Sequence, residues 1–235
     1  MAAITLARLS ERLFSDPALR KVKSERLTYL SDEKIRRLMR AADASRGQKG
    51  DILEFGVALG GSGVLLAKKA RARGSRFVGF DVFGMIPAPT SEHDDGKSKQ
   101  RYEVIASGRS QGIGGETYYG YRSNLYAEVC DTFQRYGVPV DGRNVLLVKG
   151  LFEETWPTFE RQPVALAHID CDWYEPVKFC LEAVAPLLLP RGVIVLDDYN
   201  DYGGCRTAVD QFLEANPAYV MEPGENPILR RRSTH

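Results

Sequence analysis

No stretch of the chain approaches the roughly 20 consecutive apolar residues that a membrane span requires, so no membrane partner is expected. Cysteine is scarce. Cys130, Cys171, Cys180 and Cys205 form no C-x-x-C pair, and isolated thiols of this kind read as reduced side chains packed in a core. The N-terminal MAAITLARLSERLF has no apolar centre of the cleavable type, so a cytoplasmic location is expected rather than secretion. An excess of either charge is also missing: 32 Lys and Arg against 31 Asp and Glu give a net charge of +1. That balance gives no reason to expect nucleic acid or another polyanion as partner. The one basic run, Arg230 to Arg232, reads as a solvated tail.

What is present describes an ordinary globular chain. At 43% hydrophobic and 27% charged, 235 residues can build one large α/β domain or two small ones. Residues 1–46 look helical and amphipathic, with Leu27, Leu30, Ile35, Leu38 and Met39 near the helical period and Ser31 as N-cap. RGQKG (46–50) closes that extension. Strands and helices then alternate: DILEFG (51–56), RFVGFD (76–81), NVLLVKG (144–150), VALAHI (164–169) and GVIVL (192–196) are the apolar runs. Helices fall between them, including EPVKFCLEAVAPLLL (175–189) and CRTAVDQFLEA (205–215). Such alternation implies a parallel sheet covered on both faces. AYVMEPGENPILRR suggests an antiparallel edge hairpin at the end. One segment breaks the pattern. Residues 84–126 are polar and glycine-rich with Tyr118, Tyr119 and Tyr121 interleaved, which reads as a long loop serving as a lid over substrate.

The chemistry concentrates at strand ends. Asp170 and Asp172 follow one apolar run, and Asp197 and Asp198 follow the next. Carboxylates are costly to bury, so they belong at the sheet's rim, where successive parallel strands open onto one crevice. Four of them together repel one another unless a cation sits among them, and oxygen-only ligands favour Mg²⁺, Ca²⁺ or Mn²⁺. Upstream, Glu54-Phe-Gly56-Val-Ala-Leu-Gly60-Gly61-Ser62-Gly63 joins the first strand to its helix. The glycines let backbone approach a ligand, and the helix start offers unpaired N–H groups to an anion. The spacing is not the G-x-G-x-x-G of dinucleotide sites. Asp81, at the end of the second strand, is placed to accept hydrogen bonds from ribose hydroxyls. His168 reads as a packed, hydrogen-bonded histidine.

The stretches ILEFGVALGGSG, VGFDVFGMIPAP, KGLFEETWP, HIDCDWYEPV and IVLDDYNDYGGCRTAVDQFL, in that order, resemble the macrocin O-methyltransferase family. Its members are metal-dependent enzymes that methylate sugar hydroxyls in antibiotic biosynthesis. The resemblance implies a class I S-adenosylmethionine (SAM)-dependent methyltransferase fold. That fold is α/β and Rossmann-like, a seven-stranded, mostly parallel sheet over residues 51–235 behind a helical extension of 1–50. By matching position, Asp170, Asp197 and Asp198 would bind Mg²⁺ and Asp172 would be the general base. Glu54, Gly56 and Ser62 would surround the methionine end of SAM, with Asp81 and Asp170 also on the cofactor side. Gly150 and Phe152 would lie near the adenine. The family's oligomers make a homo-oligomer the expected assembly, and a glycosylated small molecule the expected substrate. Gly84 stands where the family has an acidic residue, and 93–121 departs from its pattern, so the substrate end is where this chain differs. Catechol methylation, an NAD-linked oxidoreductase and a non-catalytic binding protein are the alternatives.

Overall fold

The computed structural model describes residues 16–232. Helices α1 (Pro17–Ser24) and α2 (Asp32–Ala44) open the described chain. Asp16 and Ser31 cap them, accepting from the amides of Ala18 and Lys34. They are followed by β1 (Asp51–Phe55), α3 (Gly61–Ala72), β2 (Phe77–Asp81), α4 (Gly96–Ala106), α5 (Leu125–Arg135) and β3 (Val145–Lys149). The rest is α6 (Phe152–Thr155), β4 (Val164–Ile169), α7 (Tyr174–Val184), β5 (Leu188–Leu196), α8 (Gly203–Ala215), β6 (Tyr219–Glu222) and β7 (Ile228–Arg231).

The seven strands lie in the order β3-β2-β1-β4-β5-β7-β6, with β1 to β5 parallel and β7 antiparallel to both neighbours. The order reverses between β1 and β4, and ligands of open α/β sheets gather outside the strand ends at such a point. Side-chain alternation along each strand sorts the core into two layers. Ile52, Phe77, Leu147, Leu166 and Val193 face α1, α2, α3 and α5, while Leu53, Phe55, Phe80, Ile169 and Leu196 face α7 and α8. The N-terminal helices therefore belong to the domain core. Leu38 is fully buried and Ile35 nearly so, and truncating such a leucine to alanine typically costs about 2–5 kcal/mol.

The expected strands and terminal hairpin are present. Three expectations change, and one lies outside the described residues. Residues 1–15 of the helical extension lie outside the described residues. The arginine run is not a free tail: Arg230 and Arg231 belong to β7, where Arg230 pairs with Glu222 at 3.2 Å and Arg231 donates to the Ala185 carbonyl at 2.8 Å. A basic run alternating along a strand can put one side chain on a neighbour while its successor faces water. The second change is in 84–126, which is no structureless loop. It holds α4, capped by Asp95 through the Ser98 amide and hydroxyl, and a bridge between Gln111 and Thr117. Only Ser98 and Ile105 of α4 are buried, so the apolar periodicity that would announce a helix is missing. The helix after Asp172 stops at Val184 rather than 189, because Pro186 cannot continue the hydrogen-bond ladder.

Candidate active site

The glycine turn after β1 and the ends of β2, β4 and β5 enclose a cavity of about 620 Å³. Gly56, Ser62, Asp81, Phe152, Asp170, Asp172, Asp197 and Asp198 all line it. Gly56 has φ +94°, and a Cβ there would lie 1.8 Å from the Asp170 carbonyl oxygen, so only glycine lets β1 and β4 meet at this height. Gly60, at φ +84°, is the N-cap of α3 and provides no side-chain cap, which leaves the first-turn amides to other acceptors. One is already taken: the Gly61 amide donates to the Leu27 carbonyl at 3.0 Å.

Asp81 is braced more heavily than a ribose acceptor needs to be. Its Oδ2 accepts from the amides of Val57 and Ala58 at 2.7 and 2.9 Å, and its Oδ1 from Phe83 at 2.6 Å. Ala58 and Phe83 both have positive φ, so this carboxylate holds two strained turns in place. Burial raises its pKa and the three amides oppose the rise. A carboxylate has about four lone-pair sites, so one direction remains open for a hydroxyl.

Asp170, Asp197 and Asp198 each bring a carboxylate oxygen within 4.8 Å of the others. Burial, then mutual repulsion, pushes the Asp170 and Asp198 carboxyls well above the usual range. The Oδ1 of Asp197 is buried and has no hydrogen-bond partner among the described residues. Clustered carboxylates, two buried and Asp170 half-buried, with an orphaned oxygen fit a hard divalent cation, which takes oxygen ligands. Asp172 stands beside them. It is the centre of a tight turn in which the Trp173 amide donates to the Cys171 carbonyl at 2.7 Å, and its φ is +61°. Such a turn is rare and strained. Its own amide donates to Asp198 Oδ2 at 2.9 Å, fixing its position relative to the cluster. Burial, followed by the Asp197 charge, pushes its carboxyl up to about 6, while Arg101 holds it down.

Two expected site residues are not on the cavity wall. Glu54 is fully buried, with Oε1 3.1 Å from Nδ1 of the equally buried His168. The two are register partners on β1 and β4, and a Cβ at Gly63 would come within 2.7 Å of Glu54 Oε2. Strand alternation turns Glu54 under α3 instead of toward the crevice, and His168 is the packed histidine its position suggested. Gly150 lies behind Leu151 and Phe152, and its amide donates to the Asp81 carbonyl at 3.0 Å.

Other residues at the site were not singled out from the sequence. Lys34, on α2, donates to Asp197 Oδ2 at 2.9 Å, to the Asp197 carbonyl at 3.0 Å and to Asp201 Oδ2 at 2.7 Å. It lies one turn before Leu38 on the buried stripe of α2, a charged residue continuing an apolar face, and that was the available signal. Asp94, 2% exposed, accepts from the amides of Tyr174 and Ser91, and Trp173 Nε1 donates to the Pro87 carbonyl at 3.0 Å. These bonds tie the 84–126 segment to the strand end that bears Asp172. Lys97, Arg101 and Ile105 of α4 then form one wall of the cavity, four residues apart.

The sequence is 28% identical over 170 residues to the 8-demethyl-8-(2,3-dimethoxy-alpha-L-rhamnosyl)-tetracenomycin-C 4'-O-methyltransferase of Streptomyces olivaceus, covering 71% of this chain and 59% of that protein. It is 30% identical over 109 residues to the mycinamicin III 3''-O-methyltransferase of Micromonospora griseorubida, covering 46% and 42%. The chain thus spans less than two thirds of the length of either relative. The fold is similar to that of the O-methyltransferase NovP, with a TM-score of 0.72 over 88% of this chain and 83% of that one, at 21% identity. The family model described as macrocin-O-methyltransferase (TylF) matches residues 23–221, from α1 through β6, and the chain belongs to that family.

Proposed function

We propose that the chain is an O-methyltransferase acting from SAM on a hydroxyl of a glycosylated small molecule, with Asp172 as general base. The observation that carries this reading is the placement of Asp172. It is held in a strained turn by Asp198, beside the Asp170–Asp197–Asp198 cluster and in one cavity with the glycine turn. The Streptomyces relative bears a name that places its reaction on a rhamnosyl compound, which supports a sugar hydroxyl as acceptor.

SAM would supply an electrophilic methyl group, bound along the turn of Gly56 and Ser62 with Asp81 on the ribose side. Asp170, Asp197 and Asp198 would hold the divalent cation, which offsets their charge and makes an adjacent hydroxyl more acidic. Asp172 takes the hydroxyl proton, and the substrate oxygen forms its bond to carbon as the carbon–sulfur bond breaks. The 84–126 wall, tied down through Asp94 and Trp173, keeps water from the reacting atoms and acts as the lid over the acceptor.

Replacement of Asp172 by Asn tests the assignment. Turnover is expected to fall about a hundredfold or more, the usual contribution of a general base, with SAM and Mg²⁺ affinity retained in calorimetric titration. Near-normal turnover would remove Asp172 from the role. Activity that survives exhaustive chelation would remove the metal.

A further inference from the structure

The cavity carries three cations besides its carboxylates, and two of them are already engaged. Lys34 is held by Asp197 and Asp201. Lys97 donates to the Asp201 carbonyl at 2.5 Å and lies 4.9 Å from the centre of the Tyr202 ring. Arg101 differs. Among the described residues its guanidinium makes no hydrogen bond and no ion pair; it lies 5.6 Å from the Tyr118 ring, and its charge reaches Asp172 without bonding it. It stands on the α4 wall of the same cavity as Asp172. A guanidinium presents five donors in a planar fork that matches phosphate or carboxylate oxygens two at a time. Closing a neutral ligand over it would strip its water and leave those donors unmet, which is costly for a charge. An anionic substituent on the ligand removes that penalty.

We infer that Arg101 is the substrate-reading residue of this chain, and that the acceptor carries an oxyanion, phosphoryl or carboxylate, within reach of its guanidinium. The acceptor is then a charged glycosyl compound, such as a nucleoside diphosphate sugar or a uronic acid glycoside, and not a neutral glycoside. This rests on the methyltransferase reading and specifies its substrate class.

The test is calorimetric titration of the full chain loaded with S-adenosylhomocysteine and Mg²⁺, using uridine diphosphate glucose, methyl glucuronide and methyl glucoside as probes. At least one anionic probe is expected to bind more tightly than the neutral glucoside. Arg101→Met should weaken that binding by about tenfold or more, and Arg101→Lys by less, since it keeps the charge but loses the fork. Preference for the diphosphate probe names a phosphoryl group, and preference for the glucuronide names a carboxylate. Equal binding of all three probes, binding of neither anion, or unchanged anion binding in Arg101→Met overturns the inference. So does a loss of S-adenosylhomocysteine binding confined to Arg101→Met, which would assign the arginine to the cofactor. If wild-type protein fails to bind S-adenosylhomocysteine, the methyltransferase reading itself fails, and the inference with it.

Discussion

Lys34→Met separates the N-terminal helix from the acidic cluster without removing packing, because methionine keeps most of the lysine stem's apolar length. One ammonium here makes three hydrogen bonds of 2.7 to 3.0 Å, two of them to Asp197. The side chains of Lys34 and Asp197 are 13% and 9% exposed, while that of Asp201 is 45% exposed. The Asp201 bond is therefore screened and contributes about 0–1 kcal/mol. Removing one partner of a buried pair costs about 3–5 kcal/mol, because the other charge stays behind without compensation. The low end applies, since Asp197 keeps neighbours that can relax, and the expected loss is about 3 kcal/mol in chelator. At roughly 2–4 °C per kcal/mol for a chain of this size, Tm should fall by about 6–12 °C. Urea unfolding of wild type and variant, each with chelator and with saturating Mg²⁺, measures both terms. A cation on the cluster takes over part of the compensation for Asp197, so the loss should shrink when Mg²⁺ is present. A loss below about 1 kcal/mol in chelator would refute the argument, because the pair would then be behaving as an exposed one. An equal loss with and without Mg²⁺ would show that Lys34 and the metal do not share the same charge.

Gly56→Ala should lose SAM and Mg²⁺ binding together, as its Cβ would overlap the carbonyl of Asp170; a variant that titrates normally with both would disprove the close approach. Asp94→Ala strands the amides of Tyr174 and Ser91, at about 1–3 kcal/mol for buried groups left unmet, and limited proteolysis should find residues 84–126 cut faster. Asp141 accepts from the amides of Val145, Arg143 and Asn144, led by Val145, and its carboxyl is held well below its ordinary value of about 3.9. Its contribution to stability is thus complete above that value and lost as pH falls through the lower, folded one. Asp141→Ala should destabilise at neutral pH and flatten the acid limb of the stability curve, measured by urea titration from neutral pH downward.

The sheet was legible because its strands are short apolar runs between turn signals; β1, β2, β4 and the end of β5 bury both faces, while β3 at the sheet edge alternates buried and half-buried residues. The hairpin was legible from its Pro-Gly turn. Helix α4 was not, because a helix that lines a cavity buries few residues and carries Lys97 and Arg101 where a core-facing helix would carry leucine. The arginine run faces solvent as read, yet it is paired strand and not tail, for a related reason. Local charge says nothing about whether a strand partner such as Glu222 waits across the hairpin.

The site divides along the same line. Aspartates at strand ends and glycines at a turn are visible in sequence because their position relative to their own element defines their role. Asp170, Asp197, Asp198, Asp172 and Gly56 meet in one cavity on that basis. Glu54 shows the limit of the rule. One residue along a strand reverses the face, and a carboxylate two positions before Gly56 ends beneath α3 against His168. Lys34 lies beyond local reading altogether, 163 residues from Asp197. Only the packing of Ile35, Leu38 and Met39 on the sheet brings it there, and the Asn226 amide secures the Lys34 carbonyl from the hairpin at 3.0 Å. The segment from Leu27 to Lys34 thus touches both halves of the site, the α3 start through the Leu27 carbonyl and the acidic cluster through Lys34. A chain cut between Lys34 and Asp51 would keep every motif the sequence displays, yet lose the ammonium of Lys34 from the Asp197 carboxylate and the Leu27–Leu30 wall of the cavity beside the glycine turn.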